Sequence, residues 1–298
     1  MTLTTGIERI RIRNYRVLRD IELDGLTPVT LLIGANGTGK STVLDAIEFV
    51  FEAVSAGLAD AWGRRGGLAG VRSKGAGGPV EIELDCRSWA GLFTYRLVVG
   101  ERQGFPEVEG EKLSWRHEEE SEAFELLDFA YGSGTVRRPG VGAVDEQFVT
   151  ADILGADTFG RLGVNSQVAA FRRFAAQVRL ADGVGRLRSS AAQSPVAALL
   201  TDVPETGLYP LLHTSLAEDI RAFSQTGQVI AATHSSWIVN ASRLDEVWMM
   251  YRDDHGHTQA RRAADLPRLV AMAGPGALLG DLWSEGYFGI GDPLARQM

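Results

Sequence analysis

The chain opens on alternation. Residues 7–13, IERIRIR, mix apolar and charged side chains at the two-residue period of a half-buried strand. Residues 17–23, VLRDIEL, repeat the pattern and pair with the first run across the turn at Asn14, Tyr15 and Arg16. Residues 29–33, VTLLI, are continuously apolar, which predicts a strand buried on both faces. After Lys40 the period changes: Val43, Leu44, Ile47, Val50, Phe51 and Val54 recur at helical steps. The glycine-rich stretch 57–79 reads as a loop. Residues 80–86 and 93–99 alternate like antiparallel strands, 107–115 add a third, and 150–190 read as mostly helical. From 196 strands and helices take turns: VAALL, a helix over 211–227, QVIAAT at 228–233, a helix from SWIVNASRL, and EVWMMY at 246–251. That order predicts an α/β fold with a mostly parallel central sheet, an antiparallel β subdomain and a helical segment.

Composition narrows the class. The 298 residues are 45% hydrophobic, as in an ordinary globular chain. No apolar run reaches the ~18–20 residues that span a bilayer, and the N-terminus lacks a signal-peptide core. Cys86 is the single cysteine, so no intrachain disulfide forms. We read the protein as cytoplasmic, with no membrane partner. A net charge of −8 argues against a charge-driven nucleic-acid binder but leaves room for a local basic patch, such as the arginines of 171–190. HEEESE (117–122) reads as a solvated acidic turn, and DDHGH (253–257) as a hairpin turn; neither reads as a metal site.

Chemistry enters at GANGTGKST, residues 34–42. This is the phosphate-loop pattern G-x-x-x-x-G-K-[ST], lying between a buried strand and an amphipathic helix. Glycines turn backbone N–H groups toward phosphate oxygens, and the helix start presents its positive end. Gly34, Asn36, Gly37, Thr38, Gly39, Lys40, Ser41 and Thr42 are therefore the expected phosphate ligands of ATP. Lys40 reaches the β- and γ-phosphates, and the Ser41 hydroxyl serves Mg²⁺. Two later strand ends add an acid, Asp202 in TDVPETGLYP, and a histidine, His234 in IAATHSS.

Taken together, IRIRNYRVLRDIEL, TLLIGANGTGKSTVLDAI, PETGLYP and ATHSSWIV resemble the SMC/RecF-like branch of ABC-type P-loop NTPases. They resemble in particular the standalone ATPases related to the overcoming-lysogenization-defect (OLD) nucleases, as does the tail LLGDLWSEGYFG (278–289). The resemblance implies a single ABC-type domain over 1–298. Its parts are strands and phosphate loop (1–79), antiparallel subdomain (80–150), helical and signature segment (151–195), and acid and switch-histidine lobe (196–298). It implies Mg²⁺ on Ser41 and Asp202, the γ-phosphate on His234, an adenine-side turn at Arg13, Asn14 and Arg16, and a partner's nucleotide at Gly183. It also implies an ATP-dependent homodimer acting in DNA maintenance or anti-phage defence, with DNA or a nuclease or effector protein as partner. OLD nucleases carry a further nuclease domain, for which the stretch after Asp202 is too short.

The pattern breaks in two places. The family's Asp-Glu-Pro-Glu is here Asp202-Val203-Pro204-Glu205, so valine replaces the general base and the expected hydrolysis is slow, unless Glu205 has taken over as base. In the signature stretch, LADGVGRL (180–187), Ala181 stands where a serine hydroxyl is expected. The alternative reading is a non-catalytic, nucleotide-sensing subunit that gates a partner nuclease or toxin. A small-molecule kinase would need an acceptor pocket and a lid, which no motif marks.

Overall fold

The computed structural model describes residues 5–163, 165–181, 196–274 and 276–290. They form two compact units, one from Gly25–Leu44 and the described residues after Val178, the other from the described residues up to Asp24 and Asp45–Val178.

The second unit is built on an eight-stranded antiparallel sheet. Its strands are β1 (Gly6–Tyr15), β2 (Leu18–Asp24), β4 (Val80–Ser88), β5 (Gly91–Arg102), β6 (Phe105–Arg116), β7 (Phe124–Ala130), β8 (Ser133–Arg138) and β9 (Gly142–Gln147). The N-terminal hairpin lies at one edge, in the order β2-β1-β4-β5-β6-β7-β8-β9. Alternation sets the two faces. Ile7, Ile10, Ile12 and Tyr15 are buried, and the break at Glu8–Arg9 coincides with a register shift against β4. The polar positions pair across strands: Arg9 with Glu83 at 2.6 Å, Arg11 with Asp20 at 3.2 Å, Arg13 with Glu81 at 3.1 Å.

The helices of this unit pack aromatic side chains. In α1 (Lys40–Ala56), Phe49 lies 6.1 Å from Tyr15 and 6.0 Å from Trp62. Trp62 belongs to α2 (Leu58–Arg64), which is followed by α3 (Gly67–Val71). The stretch read as a loop is thus largely helical. Leu58, Ala61 and Trp62 supply a buried face that outweighs the glycines, a tertiary gain invisible to local propensity. Two further helices, α4 (Gly155–Leu162) and α5 (Ser166–Ala175), precede β10 (Val178–Ala181). In α5, the Phe171 ring packs at a tilt 4.9 Å from that of Tyr95, while Arg172 is spent on Asp157 at 2.8 Å. Glu111 is fully buried; it accepts from the Tyr95 hydroxyl at 2.8 Å and from the Gly155 and Ala156 N–H groups that open α4.

The first unit holds β3 (Val29–Ile33), β11 (Ala198–Asp202), β12 (Gln228–Ala232), β13 (Val247–Arg252) and β14 (Thr258–Arg262), in a six-stranded sheet of order β10-β11-β12-β3-β13-β14. Four adjacent strands, β11, β12, β3 and β13, are parallel, and β14 closes an antiparallel hairpin. All five residues of β3 are buried, as a continuous apolar run demands. Its helices are α6 (His213–Phe223), α7 (Ser236–Asn240), α8 (Pro267–Met272) and α9 (Leu279–Ser284). Leu216, Ile220, Phe223 and Trp283 join Leu31, Ile33, Val229 and Met249 in one apolar cluster. Among the described residues, no helix is long and apolar enough to cross a membrane.

Candidate nucleotide site

Parallel pairing aligns the ends of three strands. Asp202 of β11 is level with Ala232 of β12, and Ala232 with Leu32 of β3. The loop opening at Gly34, the turn after Asp202 and the His234 segment therefore leave the sheet at one carboxyl edge, where open α/β sheets place ligands.

Backbone chemistry fixes the loop's glycines. Gly34 has φ 141°, and a Cβ there would lie 2.1 Å from the Met250 carbonyl oxygen, so no other residue fits. Gly37 and Gly39 have φ 77° and 101°. The Thr38 hydroxyl donates to the Ala35 carbonyl at 2.8 Å. Lys40 starts α1 and is 5% exposed; its ammonium donates to the Gly34 and Ala35 carbonyls, both at 3.0 Å. Burial pulls its pKa down, opposed by the negative charges of Asp202 and Glu205. Asn36 and Ser41 are exposed, Thr42 is half-buried, and the first turn of α1 carries no acid to compete with an anion.

After Asp202 the chain turns instead of staying extended. Val203 has φ 43°, a left-handed conformation rare for a β-branched residue, and its N–H donates to the Ala232 carbonyl at 2.8 Å. Thr206 N–H returns to the Val203 carbonyl at 3.0 Å. The turn folds Glu205 inward, 8% exposed, where one carboxylate oxygen accepts the Thr233 hydroxyl at 2.8 Å and the His234 N–H at 2.7 Å. Glu205 thus clasps the two strand ends together. His234 itself is exposed, and its pKa is lowered, first by desolvation and then by Lys40, against the pull of Glu205 and Asp202. The shift favours the neutral imidazole.

Two carboxylate oxygens of the Asp202–Glu205 turn, Asp202 Oδ1 and Glu205 Oε2, are buried without a partner. Such orphans call for a group that completes them. Both are hard oxygen donors of the kind Mg²⁺ takes, and no group of three or more metal-type side chains occurs among the described residues. A metal held by one carboxylate and by nucleotide phosphates would fit such oxygen donors.

Arg13, Asn14 and Arg16 belong to the antiparallel unit. Arg13 pairs with Glu81 at 3.1 Å, Asn14 donates to the Gly77, Gly78 and Pro79 carbonyls, and Arg16 pairs with Asp45 at 3.1 Å. Gly183 lies outside the described residues. Ala181 ends β10 at 2% exposure, its methyl in the apolar cluster. Two residues carried no signal in the sequence: Thr233, whose hydroxyl holds Glu205, and Arg252, whose guanidinium reaches the Gly37 carbonyl at 2.6 Å.

A glycine-lined phosphate loop and an acidic strand end on one parallel edge define a P-loop nucleotide site. Residues 6–81 match the AAA ATPase domain model. A 56-residue segment is 41% identical to the OLD nuclease of Thermus scotoductus, covering 19% of this chain and 9% of that protein. The fold is similar to the SMC head domain of Pyrococcus furiosus, solved bound to the C-terminal domain of ScpA (TM-score 0.51, 11% identity, 90% of this chain and 99% of that one). The SMC head domain of Thermotoga maritima is a further similar structure (TM-score 0.45, 14% identity, 86% and 98%). The chain thus has an SMC-head-like fold, and its similarity to ATPase sequences lies in residues 6–81 and in the 56-residue segment shared with the OLD nuclease.

Proposed function

We propose that this chain binds Mg·ATP at residues 34–42 and uses it as the switch of an ATP-dependent dimer with slow hydrolysis. One observation carries the reading. The phosphate loop, Asp202 and His234 meet at one strand edge with unsatisfied buried oxygens, while the position after Asp202 holds an apolar side chain. Mg²⁺, when bound, neutralises charge on the β- and γ-phosphates. Lys40 and the loop N–H groups hold the phosphates, Asp202 and Ser41 hold the metal, and His234 bonds the terminal phosphate. Glu205 keeps the His234 segment in register with the Asp202 turn. Val203 has no group that accepts a proton from water, so binding and turnover are separable. The roles of Arg13, Asn14 and Arg16 toward the base, and of Gly183 toward a partner's nucleotide, rest on the family resemblance.

The relation to OLD nucleases supports a role in DNA maintenance or anti-phage defence. A second reading follows from Val203: a nucleotide-sensing subunit that gates a partner nuclease or toxin without turnover of its own. The test is a titration with a fluorescent ATP analogue in Mg²⁺, with sizing in the presence and absence of non-hydrolysable ATP. Saturable binding that Lys40→Ala abolishes, together with a nucleotide-induced dimer, is the expected result. Undiminished affinity in Lys40→Ala overturns the site; a monomer under both conditions overturns the dimer.

A further inference from the structure

The β13–β14 hairpin bears on the phosphate loop. Its turn is locked by Asp253, whose Oδ1 accepts the His255 and His257 N–H groups at 3.0 and 2.8 Å and whose Oδ2 accepts the Gln259 amide at 3.0 Å. Arg252, the last residue of β13, holds the Gly256 carbonyl of that turn at 2.5 Å with one guanidinium nitrogen. The other donates to the Gly37 carbonyl, at the apex of the phosphate loop, at 2.6 Å. The side chain is exposed, and among the described residues its partners are these two neutral carbonyls and no carboxylate.

We propose that Arg252 is a positioning residue that holds the phosphate loop in its anion-receiving conformation and brings an unpaired positive charge to it. This deepens the Mg·ATP reading and rests on it. A trans peptide is planar, so fixing the Gly37 carbonyl outward fixes the Thr38 N–H on the opposite side. That N–H reaches the Ala35 carbonyl at only 3.4 Å, a weak bond that a phosphate oxygen would displace. Gly37 has φ 77°, and a Cβ there would meet nothing within 4 Å, so crowding does not hold the apex and a tether is needed. The rigid fork of arginine suits two carbonyls at once, and its charge attracts a polyphosphate in a salt-dependent way.

The experiment compares Mg·ATP affinity of the natural protein with Arg252→Ala, Arg252→Lys and Lys40→Ala at low and high salt, alongside nucleotide-free melting curves. Arg252→Ala should weaken binding about tenfold, the scale of one charge-assisted hydrogen bond, and flatten the salt dependence. Its nucleotide-free melting should match the natural protein, and Arg252→Lys, which keeps the charge without the fork, should retain the salt dependence and recover part of the affinity. Natural affinity in Arg252→Ala overturns the proposal. So does a loss that lysine fails to rescue and that tracks a lowered nucleotide-free melting temperature, which marks a purely structural residue. Absence of saturable ATP binding in the natural protein, or binding indifferent to Lys40→Ala, instead overturns the nucleotide site and the proposal with it.

Discussion

Replacing Val203 by glutamate tests whether one side chain separates this protein from a fast ATPase. The residue sits at φ 43° directly after β11, with its N–H held by the Ala232 carbonyl at 2.8 Å. A β-branched side chain in the left-handed region costs on the order of 1–3 kcal/mol. Glutamate and glutamine lack the branch, so both variants should fold at least as stably as the natural chain. A general base contributes ~10²–10⁴ to rate, equivalent to about 3–5 kcal/mol of barrier. Lys40, Ser41 and Asp202 are untouched by the change. Phosphate release at saturating Mg·ATP should therefore rise at least ~100-fold in Val203→Glu and stay at the natural level in Val203→Gln, which has the shape without the base. Glu205→Gln is the companion variant. Its amide oxygen still accepts the Thr233 hydroxyl and His234 N–H, bonds of 2.8 and 2.7 Å, so the clasp persists and turnover should change little. If the natural protein turns over at about 1 s⁻¹ or faster and Glu205→Gln stops it, Glu205 is the base and the reasoning fails. It fails equally if Val203→Glu is no faster than Val203→Gln.

The His234 imidazole, followed by NMR, should titrate below the ordinary ~6.5 without nucleotide, because desolvation and Lys40 disfavour its charged form, and should move upward when the ATP polyanion binds. The unfolded chain takes that proton first as pH falls below ~6.5, so this group's share of stability is present above that value and is lost as pH falls through the lowered folded value. Glu111→Gln should destabilise the antiparallel unit by about 1–3 kcal/mol in urea unfolding, because the Gln NH₂ cannot accept the Gly155 N–H. Burial raises the Glu111 pKa, so its contribution is complete below the ordinary carboxylate value and is lost as pH rises through the folded value. The Gln variant should lack that slope.

Periodicity carried much of the fold. The N-terminal hairpin, the buried β3, the amphipathic α1 and the later strand–helix alternation follow from two- and 3.6-residue patterns, which need only local geometry. The phosphate loop was equally legible, because glycine, lysine and serine at fixed spacing are a backbone requirement written in residue types. Local pattern failed at 57–79, where glycines hid helices held by Leu58, Ala61 and Trp62. It was silent on where Glu205 points. The left-handed Val203 turns the carboxylate back onto Thr233 and His234, a partnership between residues 28 and 29 positions apart. The hold of Arg252 on Gly37 spans 215 positions. Both depend on β12 and β13 flanking β3, and strand order is set by packing and crossover connections that no short window of sequence contains. The sequence by itself thus determined which chemical groups the protein carries and which elements bear them; the tertiary structure alone decided which carbonyl, hydroxyl and carboxylate each would meet.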